Sequence, residues 1–544
     1  MLNEQTWDYI VIGSGFGGSV SAMRLAEKGY SVLVIEKGKR FSASDFPRSN
    51  WNIRKFLWLP SLRLFGFQRI DMFKEVGILS GVGVGGGSLV YANTHMFPPD
   101  AFFKNKAWAH FRDWKKTLSP FYKKAKFMLG SAPYEKEHYE DKVLHEIAKD
   151  MGKESSYMPV NSVGIYQGDT ENYVDPYFNG IGPLRKGCIE CAGCMVGCRH
   201  DAKNTLDKNY LYFAEKFGSH VLAETEVRRI EYENGLYQVT TRSSTAFIKT
   251  RKTTYQSRGL VVAAGVLGTL RLLFRQKVNN GTLSRISDKL GHNLRTNSES
   301  LCGVTNAKQK LNHGIAISRV FNPDENTHIE LCKYPNKSGF MKTLMTLATG
   351  DGSGPMRTLK LLANLLTSPL KLARFIFKQD FANNSLYLLV MQTLDNAMIM
   401  RWKKGIFSRL KIDNSGQNRV PAYIGIGQEV MHRYAEKTGG IAINATAEVV
   451  MNMSSTAHIL GGCPMGRDAA EGVVDDKFAV HGYENFYILD GSIIPCNLGV
   501  NPSFTITALT EYAMSKIPRK KGSGQKTLDE LLKRSASKKK KTRK

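Results

Sequence analysis

Residues 8–36 read DYIVIGSGFGGSVSAMRLAEKGYSVLVIE. The apolar run from Tyr9 to Ile12 predicts a strand that breaks into Gly13, Gly15 and Gly18. A helix should follow, with Ala22, Leu25 and Ala26 on its buried face and Gly29 as its cap. Residues 31–35 then predict a second strand, ending at Glu36. Gly13 permits the tight turn, Gly15 lets backbone approach a pyrophosphate, and Gly18 lets helix and strand pack closely. The helix N-terminus offers unpaired N–H groups to the diphosphate. Glu36, about twenty residues on, is placed to accept bonds from ribose hydroxyls. Glycines in a turn say little alone, but strand, turn, helix, strand and terminal acid in register point to a dinucleotide site. NAD and FAD both use such a turn, and Glu36 argues only against a 2′-phosphate.

A chain of 544 residues exceeds what one hydrophobic core normally serves, so two or more domains are expected. Its 42% hydrophobic and 23% charged content suits a globular enzyme. No stretch approaches the roughly 18 uncharged apolar residues of a membrane span. Residues 1–7 carry Glu4 and no basic region ahead of an apolar run, so no secretory leader is expected and the cytoplasm is the default compartment. The net charge is +28, but twelve of the 76 basic residues, against two of the 48 acids, fall within residues 519–544. That tail ends SASKKKKTRK, has no core-forming pattern beyond LDELL, and is expected to be disordered. Its charge fits contact with an anionic membrane surface, or a purely solubilising role. Without a module that reads bases, a nucleic-acid partner is not expected.

Three further segments matter. Residues 80–93 read SGVGVGGGSLVYAN, so backbone can lie flat against a planar ligand with its N–H groups at the polar edge. Residues 456–466 read TAHILGGCPMG, and residues 482–517 contain YILDGSIIPCNLGVNPSFTITALTEYAMSKI. Together with the N-terminal unit these resemble the glucose–methanol–choline (GMC) oxidoreductases, and within them the bacterial cholesterol oxidases with non-covalent FAD. The resemblance runs from Asp8 to Ile517, specific at both ends and in the glycine loop and loose between.

The resemblance implies FAD and carries roles onto matching positions. His458 matches the active-site histidine, and Asn501 the asparagine that faces flavin and substrate hydroxyl. Gly83, Gly85, Gly86, Gly87, Ser88 and Asn93 match the loop along the isoalloxazine. Asp490 and Gly491 match the element at the ribityl and phosphate region. Val227 falls on the strand passing the adenine side, and residues 259–273, GLVVAAGVLGTLRLL, match the return strand and helix. Glu330, in HIELCKYP, falls where the family keeps a carboxylate at the steroid ring; the other reading is an ordinary strand-face acid.

Such a site oxidises an alcohol: a base takes the hydroxyl proton while the carbinol hydrogen passes to flavin N5 as hydride. Histidine suits the base because its ordinary pKa lies near neutrality, and asparagine can orient the oxygen without adding charge. Without its motif, a lone histidine would be read as a hydrogen-bonded structural residue. The implied reaction turns a bulky lipophilic alcohol, a 3β-hydroxysterol or similar, into the ketone, with electrons passed to O2 as the acceptor. A dehydrogenase using a quinone or iron–sulfur partner, and a non-catalytic flavin- or lipid-binding protein, are the alternatives.

Cys188, Cys191, Cys194 and Cys198 have the spacing C-x2-C-x2-C-x3-C of ferredoxin ligands to a [4Fe–4S] cluster. Against that, Arg199 rather than Pro follows the last cysteine, and a second set is lacking. Structural thiols or a disulfide pair are the favoured expectation, with no metal.

Residues 54–67 and 355–378 mix leucines and phenylalanines with Lys and Arg, the second divided by Pro369 into two short helices. They fit either peripheral contact with a membrane, where a lipid-soluble substrate enters, or amphipathic helices covering the substrate domain. The expected fold is α/β: a discontinuous Rossmann-type FAD-binding domain (1–110, 185–300 and 450–517) interleaved with an α+β substrate cap on an antiparallel sheet (111–184 and 301–449), then the tail 518–544.

Overall fold

The computed structural model describes residues 2–246, 252–405, 408–413 and 420–542. The run TWDYIVI forms the strand Thr6–Ile12, buried along almost its whole length. It pairs in parallel with Val32–Ile35 on one side and Thr253–Val262 on the other. Because both neighbours are parallel and both faces are covered, these strands carry continuous rather than alternating apolar residues. His220–Leu222 extends this sheet beyond Val32–Ile35, and the short strand Phe486–Ile488 joins it in parallel at Thr253–Val262. An antiparallel meander, Thr225–Glu233 and Leu236–Ser243, completes seven strands. The helix Phe16–Glu27 is buried all round, against Tyr210–Lys216 and Ser503–Ser515.

A second seven-stranded sheet is antiparallel throughout. Its order is Met345–Leu347, Ile441–Ala445, Ser300–Thr305, Leu386–Gln392, Thr327–Cys332, Arg319–Phe321, Tyr157–Pro159. Period-two alternation sorts its side chains. Ile329, Leu331, Leu388 and Val390 pack on one face against the helices Tyr139–Asp150 and Gly425–Thr438. Glu330 and Leu389, paired across neighbouring strands, point to the opposite face.

The chain departs from expectation at three places. Helix Trp114–Met128, expected in the substrate cap, packs its buried Trp114, Leu118, Tyr122 and Ala125 into the core of the nucleotide sheet, and Tyr122 Oη lies 2.9 Å from Thr505 Oγ1. The hairpin Ile399–Lys403 and Arg409–Asp413, also expected in the cap, buries Met400, Leu410 and Ile412 in that same core. In both cases apolar side chains find the nearest uncovered face of the nucleotide domain, which segment order along the chain does not reveal. The tail is not disordered through residue 542: Leu528–Thr542 is a helix whose first residue is buried. LDELL sets Leu528, Leu531 and Leu532 on one face, enough to dock the first turn. Glu27 Oε1 accepts the Leu528 N–H at 2.6 Å, satisfying a donor that a helix start would otherwise leave unpaired. Among the described residues no helix is long and apolar enough to cross a membrane.

Candidate active site

The two sheets meet where the nucleotide domain's last helix begins. Asn501 lies just before Ser503–Ser515, and His458 just after the short strand Ser454–Thr456. The substrate sheet contributes Glu330 from Thr327–Cys332 and Glu299 from the residue before Ser300–Thr305. All four converge. Asn501 Nδ2 donates to Glu330 Oε2 at 3.2 Å and stands 3.5 Å from His458 Nε2. Glu299 Oε1 hydrogen-bonds His458 Nδ1, and its Oε2 accepts the Ala457 N–H at 2.8 Å. Both carboxylates are fully buried. On the far side Glu330 Oε1 lies 3.3 Å from His328 Nε2, whose ring continues from Nδ1 to Asn322 Oδ1 at 2.7 Å.

This arrangement fixes the imidazole. With Nδ1–H donated to Glu299, neutral His458 has its lone pair on Nε2, on the side of Asn501. Burial alone pushes the His458 pKa down. The charge and hydrogen bond of Glu299, and the charge of Glu330, outweigh burial, so the net shift is upward from the ordinary histidine value. Asn501 Oδ1 is buried without a hydrogen-bond partner, a cost of about 1–3 kcal/mol unless a ligand meets it.

Glu299 carried no motif in the sequence and was missed, as was Asn297. Asn297 and Ser298 both sit at left-handed φ, +59° and +46°. Asn297 Nδ2 donates to Val500 O at 3.0 Å and its Oδ1 accepts the Gly499 N–H at 2.8 Å, so it brackets the loop carrying Asn501. Two adjacent residues in this region cost about 1–3 kcal/mol each, held by those bonds. Asparagine's tolerance of left-handed backbone made NSES at 297–300 the available signal.

The nucleotide turn lies beneath. Gly13 has φ +95°, and a Cβ there would fall 2.3 Å from Ala263 O; one on Gly18 would fall 2.0 Å from Gly13 O. Gly15 differs: a Cβ would meet nothing within 4 Å, so this position faces open space. Glu36 turns both oxygens to the loop, accepting from Ser14 N, Ser14 Oγ and Gly38 N at 3.1, 2.9 and 2.8 Å. Oε1, which accepts only the Gly38 N–H, keeps a further lone pair. Val227 lies two residues beyond Thr225, whose N–H donates to Glu36 O at 2.9 Å.

The glycine loop crosses above this turn. Gly83, Gly85 and Gly86 have positive φ, and a Cβ on Gly86 would fall 2.6 Å from Gly15 Cα. Gly87 lies in the short helix Gly86–Leu89 with Ser88. The Ser88 hydroxyl is used within the protein, donating to Gly85 O at 2.7 Å and accepting the Leu206 N–H at 3.1 Å. Asn93 is fully buried at φ +69° with both side-chain amide atoms unpaired. Asp490 accepts from Thr269 Oγ1 at 2.5 Å and Ser492 N at 2.8 Å, while burial raises its pKa. Gly491 O accepts the Gly461 N–H at 2.9 Å, tying this element to the histidine segment. His95, just past the loop, is buried between Ser131 and Tyr91.

Family models match in three places: GMC oxidoreductase over residues 184–298 and again over 397–510, and an NAD(P)-binding Rossmann-like domain over 11–54. A cholesterol oxidase of Acinetobacter baumannii is 40% identical over 532 residues, covering 95% of this chain and 96% of its own. A cholesterol oxidase of Mycobacterium tuberculosis is 41% identical, covering 94% and 91%. The chain belongs to the GMC oxidoreductases. Among solved structures, pyridoxine 4-oxidase from Mesorbium loti shares the fold with a TM-score of 0.59 at 15% identity, covering 94% of this chain and 99% of that one.

As a GMC oxidoreductase the chain is an FAD-dependent alcohol oxidoreductase, and its residues fit that cofactor. The open space at Gly15, the unpaired amide of buried Asn93 and the glycine loop over the nucleotide turn form a cradle that a dinucleotide with a planar head would fill. Replacing Gly15 by valine tests the cradle directly. Gly15 has extended backbone that valine adopts readily, so the fold should persist. The branched side chain would occupy the ligand's space. The expected product is a colourless protein with native circular dichroism; retention of the yellow flavin would contradict the placement.

Proposed function

We propose that this GMC oxidoreductase oxidises the 3β-hydroxyl of a sterol or similarly bulky lipophilic alcohol to the ketone, with O2 as the final electron acceptor. The observation that carries this is the buried quartet Glu299–His458–Asn501–Glu330, built across two domains and ending in an unpaired Asn501 Oδ1. Near-full-length identity to proteins named cholesterol oxidase supports the substrate class.

His458 Nε2 accepts the hydroxyl proton. Glu299 holds the ring in the required tautomer and stabilises the imidazolium that results, as a buried carboxylate does for other catalytic histidines. Asn501 holds the substrate oxygen: its Nδ2 donates, and its free Oδ1 can take the hydroxyl proton's hydrogen bond before transfer. Glu330 fixes the Asn501 amide and, through His328 and Asn322, provides a chain along which a proton can be held away from the reacting centre. Gly13, Gly15, Gly18, Glu36, Gly83, Gly85, Gly86, Gly87, Ser88, Asn93, Val227, Asp490 and Gly491 form the cradle for FAD. Bound there, FAD supplies the two-electron sink for the carbinol hydrogen.

The same reading gives the substrate an entrance. Leu301 and Leu389, beside Glu330 on its sheet face, belong to an apolar cluster that continues through Phe340 and Phe375. Phe375 lies in the helix Pro369–Phe377, which follows Gly354–Thr367. Together these helices expose Leu359, Leu362, Leu366, Leu370 and Phe377, the last three about 80% accessible. Exposed Lys371 and Arg374 stand among them. An apolar face this open, with cations on it, suits shallow insertion into an anionic lipid surface from which the alcohol is drawn.

Two measurements check these statements. Anaerobic mixing with cholesterol or dehydroepiandrosterone in detergent should bleach the flavin, with prompt peroxide when air is admitted. Bleaching by a long-chain primary alcohol alone would overturn the sterol assignment, and bleaching without recovery in air would overturn O2 as acceptor. Separately, the double variant Leu366→Glu, Leu370→Glu should lose co-sedimentation with phosphatidylserine vesicles while keeping detergent activity. Unchanged sedimentation would remove the membrane face from the mechanism.

A further inference from the structure

The cysteine run plays no part in that chemistry, yet its surroundings are organised. All four thiols are free, and Cys188, Cys191, Cys194 and Cys198 line one small cavity. The segment between them is wound tightly: Glu190, Ala192 and Gly197 sit at positive φ of +57°, +52° and +87°. Such turning lets cysteines at this spacing line the same cavity. Backbone N–H groups serve the sulfurs: Glu190 N donates to Cys188 Sγ at 3.4 Å. The loop is pinned from outside as well, Ala192 N donating to Gly314 O at 2.8 Å.

A second observation is independent of the thiols. Lys203 lines the cavity and is 1% exposed; its ammonium donates to Leu89 O at 3.0 Å and Cys194 O at 2.8 Å and stands 4.8 Å from the centre of the Tyr91 ring, with no carboxylate partner among the described residues. Arg185, equally buried, donates to Asp201 O and Lys203 O. Among the described residues neither cation has a carboxylate within ion-pair distance. Two buried cations without a counter-charge cost several kcal/mol. Neutral thiols do not supply that charge, whereas a thiolate-bound metal cluster, anionic overall, does.

We propose that Cys188, Cys191, Cys194 and Cys198 ligate a [4Fe–4S] cluster whose negative charge is balanced by Lys203 and Arg185. Among the described residues no group of His, Cys, Asp or Glu is placed to hold a single metal ion. A cubane carries its four irons at separate corners, so its thiolates stand around a cavity rather than meeting at a point, as these do. In two-cluster ferredoxins the fourth cysteine serves the other cluster; here it lines the same cavity as the first three, so one cluster is complete without a second set. The position is next to the flavin cradle, since Leu89, the Lys203 acceptor, ends the helix that holds Gly86, Gly87 and Ser88. Burial and the N–H bonds to sulfur are the levers that set such a cluster's potential.

The test uses the full chain with its FAD, purified and reconstituted anaerobically with ferrous iron and sulfide. Iron and acid-labile sulfide should be retained after gel filtration in the cluster's one-to-one ratio, and dithionite reduction should give a paramagnetic signal in electron paramagnetic resonance. Cys194→Ser should lower retained iron to the level of a sulfide-free control while its flavin absorbance remains. Cys302→Ser, in the substrate sheet, should leave both unchanged. Zinc without sulfide, or an iron-free protein whose four thiols all react with a thiol reagent under argon, would overturn the proposal. Should Cys194→Ser fail to fold, the wild-type stoichiometry and spectrum still decide.

Discussion

The structure turns on two hydrogen-bonded contacts that cross from one sheet to the other: Glu299 to His458, and Glu330 to Asn501. Each joins a buried carboxylate of the substrate sheet to a polar side chain of the nucleotide domain. Removing the partner of a buried carboxylate leaves that charge without its hydrogen-bonded compensation. The active site therefore also ties the two domains together. Proper orientation and correct domain docking become one requirement. The strained pair Asn297 and Ser298 belongs to that tie, since its bonds set both the loop of Asn501 and the approach of Glu299.

Much of this was legible in the sequence. The parallel strands and their turn announce themselves because local pattern, glycine spacing and terminal acid all agree over residues 8–36. The convergence of His458, Asn501 and Glu330 could be expected only through family resemblance, since nothing local joins residues 128 and 171 positions apart. Glu299 was invisible because a lone acid beside a strand has no motif; its role comes from tertiary contact alone. The misplaced helix Trp114–Met128 has the same origin. Its amphipathic pattern shows that one face is buried but cannot name the partner. The tail helix shows the opposite error: a single turn of leucines sufficed to dock a segment whose overall composition suggested disorder.

The leucine-rich helices expose apolar surface at the end of the cluster leading to Glu330, where a lipid alcohol would enter. The cysteine cavity is joined to the end of the glycine loop by Lys203, which donates to Leu89 O.

The central claim is that Glu299 sets both the tautomer and the basicity of His458. The direct measurement is the pH dependence of flavin bleaching by sterol in a single anaerobic turnover, for the wild type and Glu299→Gln. In the wild type the acid limb should lie above the ordinary histidine value of about 6.5, because a protonated imidazole cannot accept the hydroxyl proton. Without the Glu299 carboxylate only the charge of Glu330 still opposes burial, so the limb should move to lower pH, and the rate at its plateau should fall by about 10²–10⁴-fold. An acid limb that stays in place at an undiminished rate would show that His458 does not depend on Glu299, contradicting the assignment of the site.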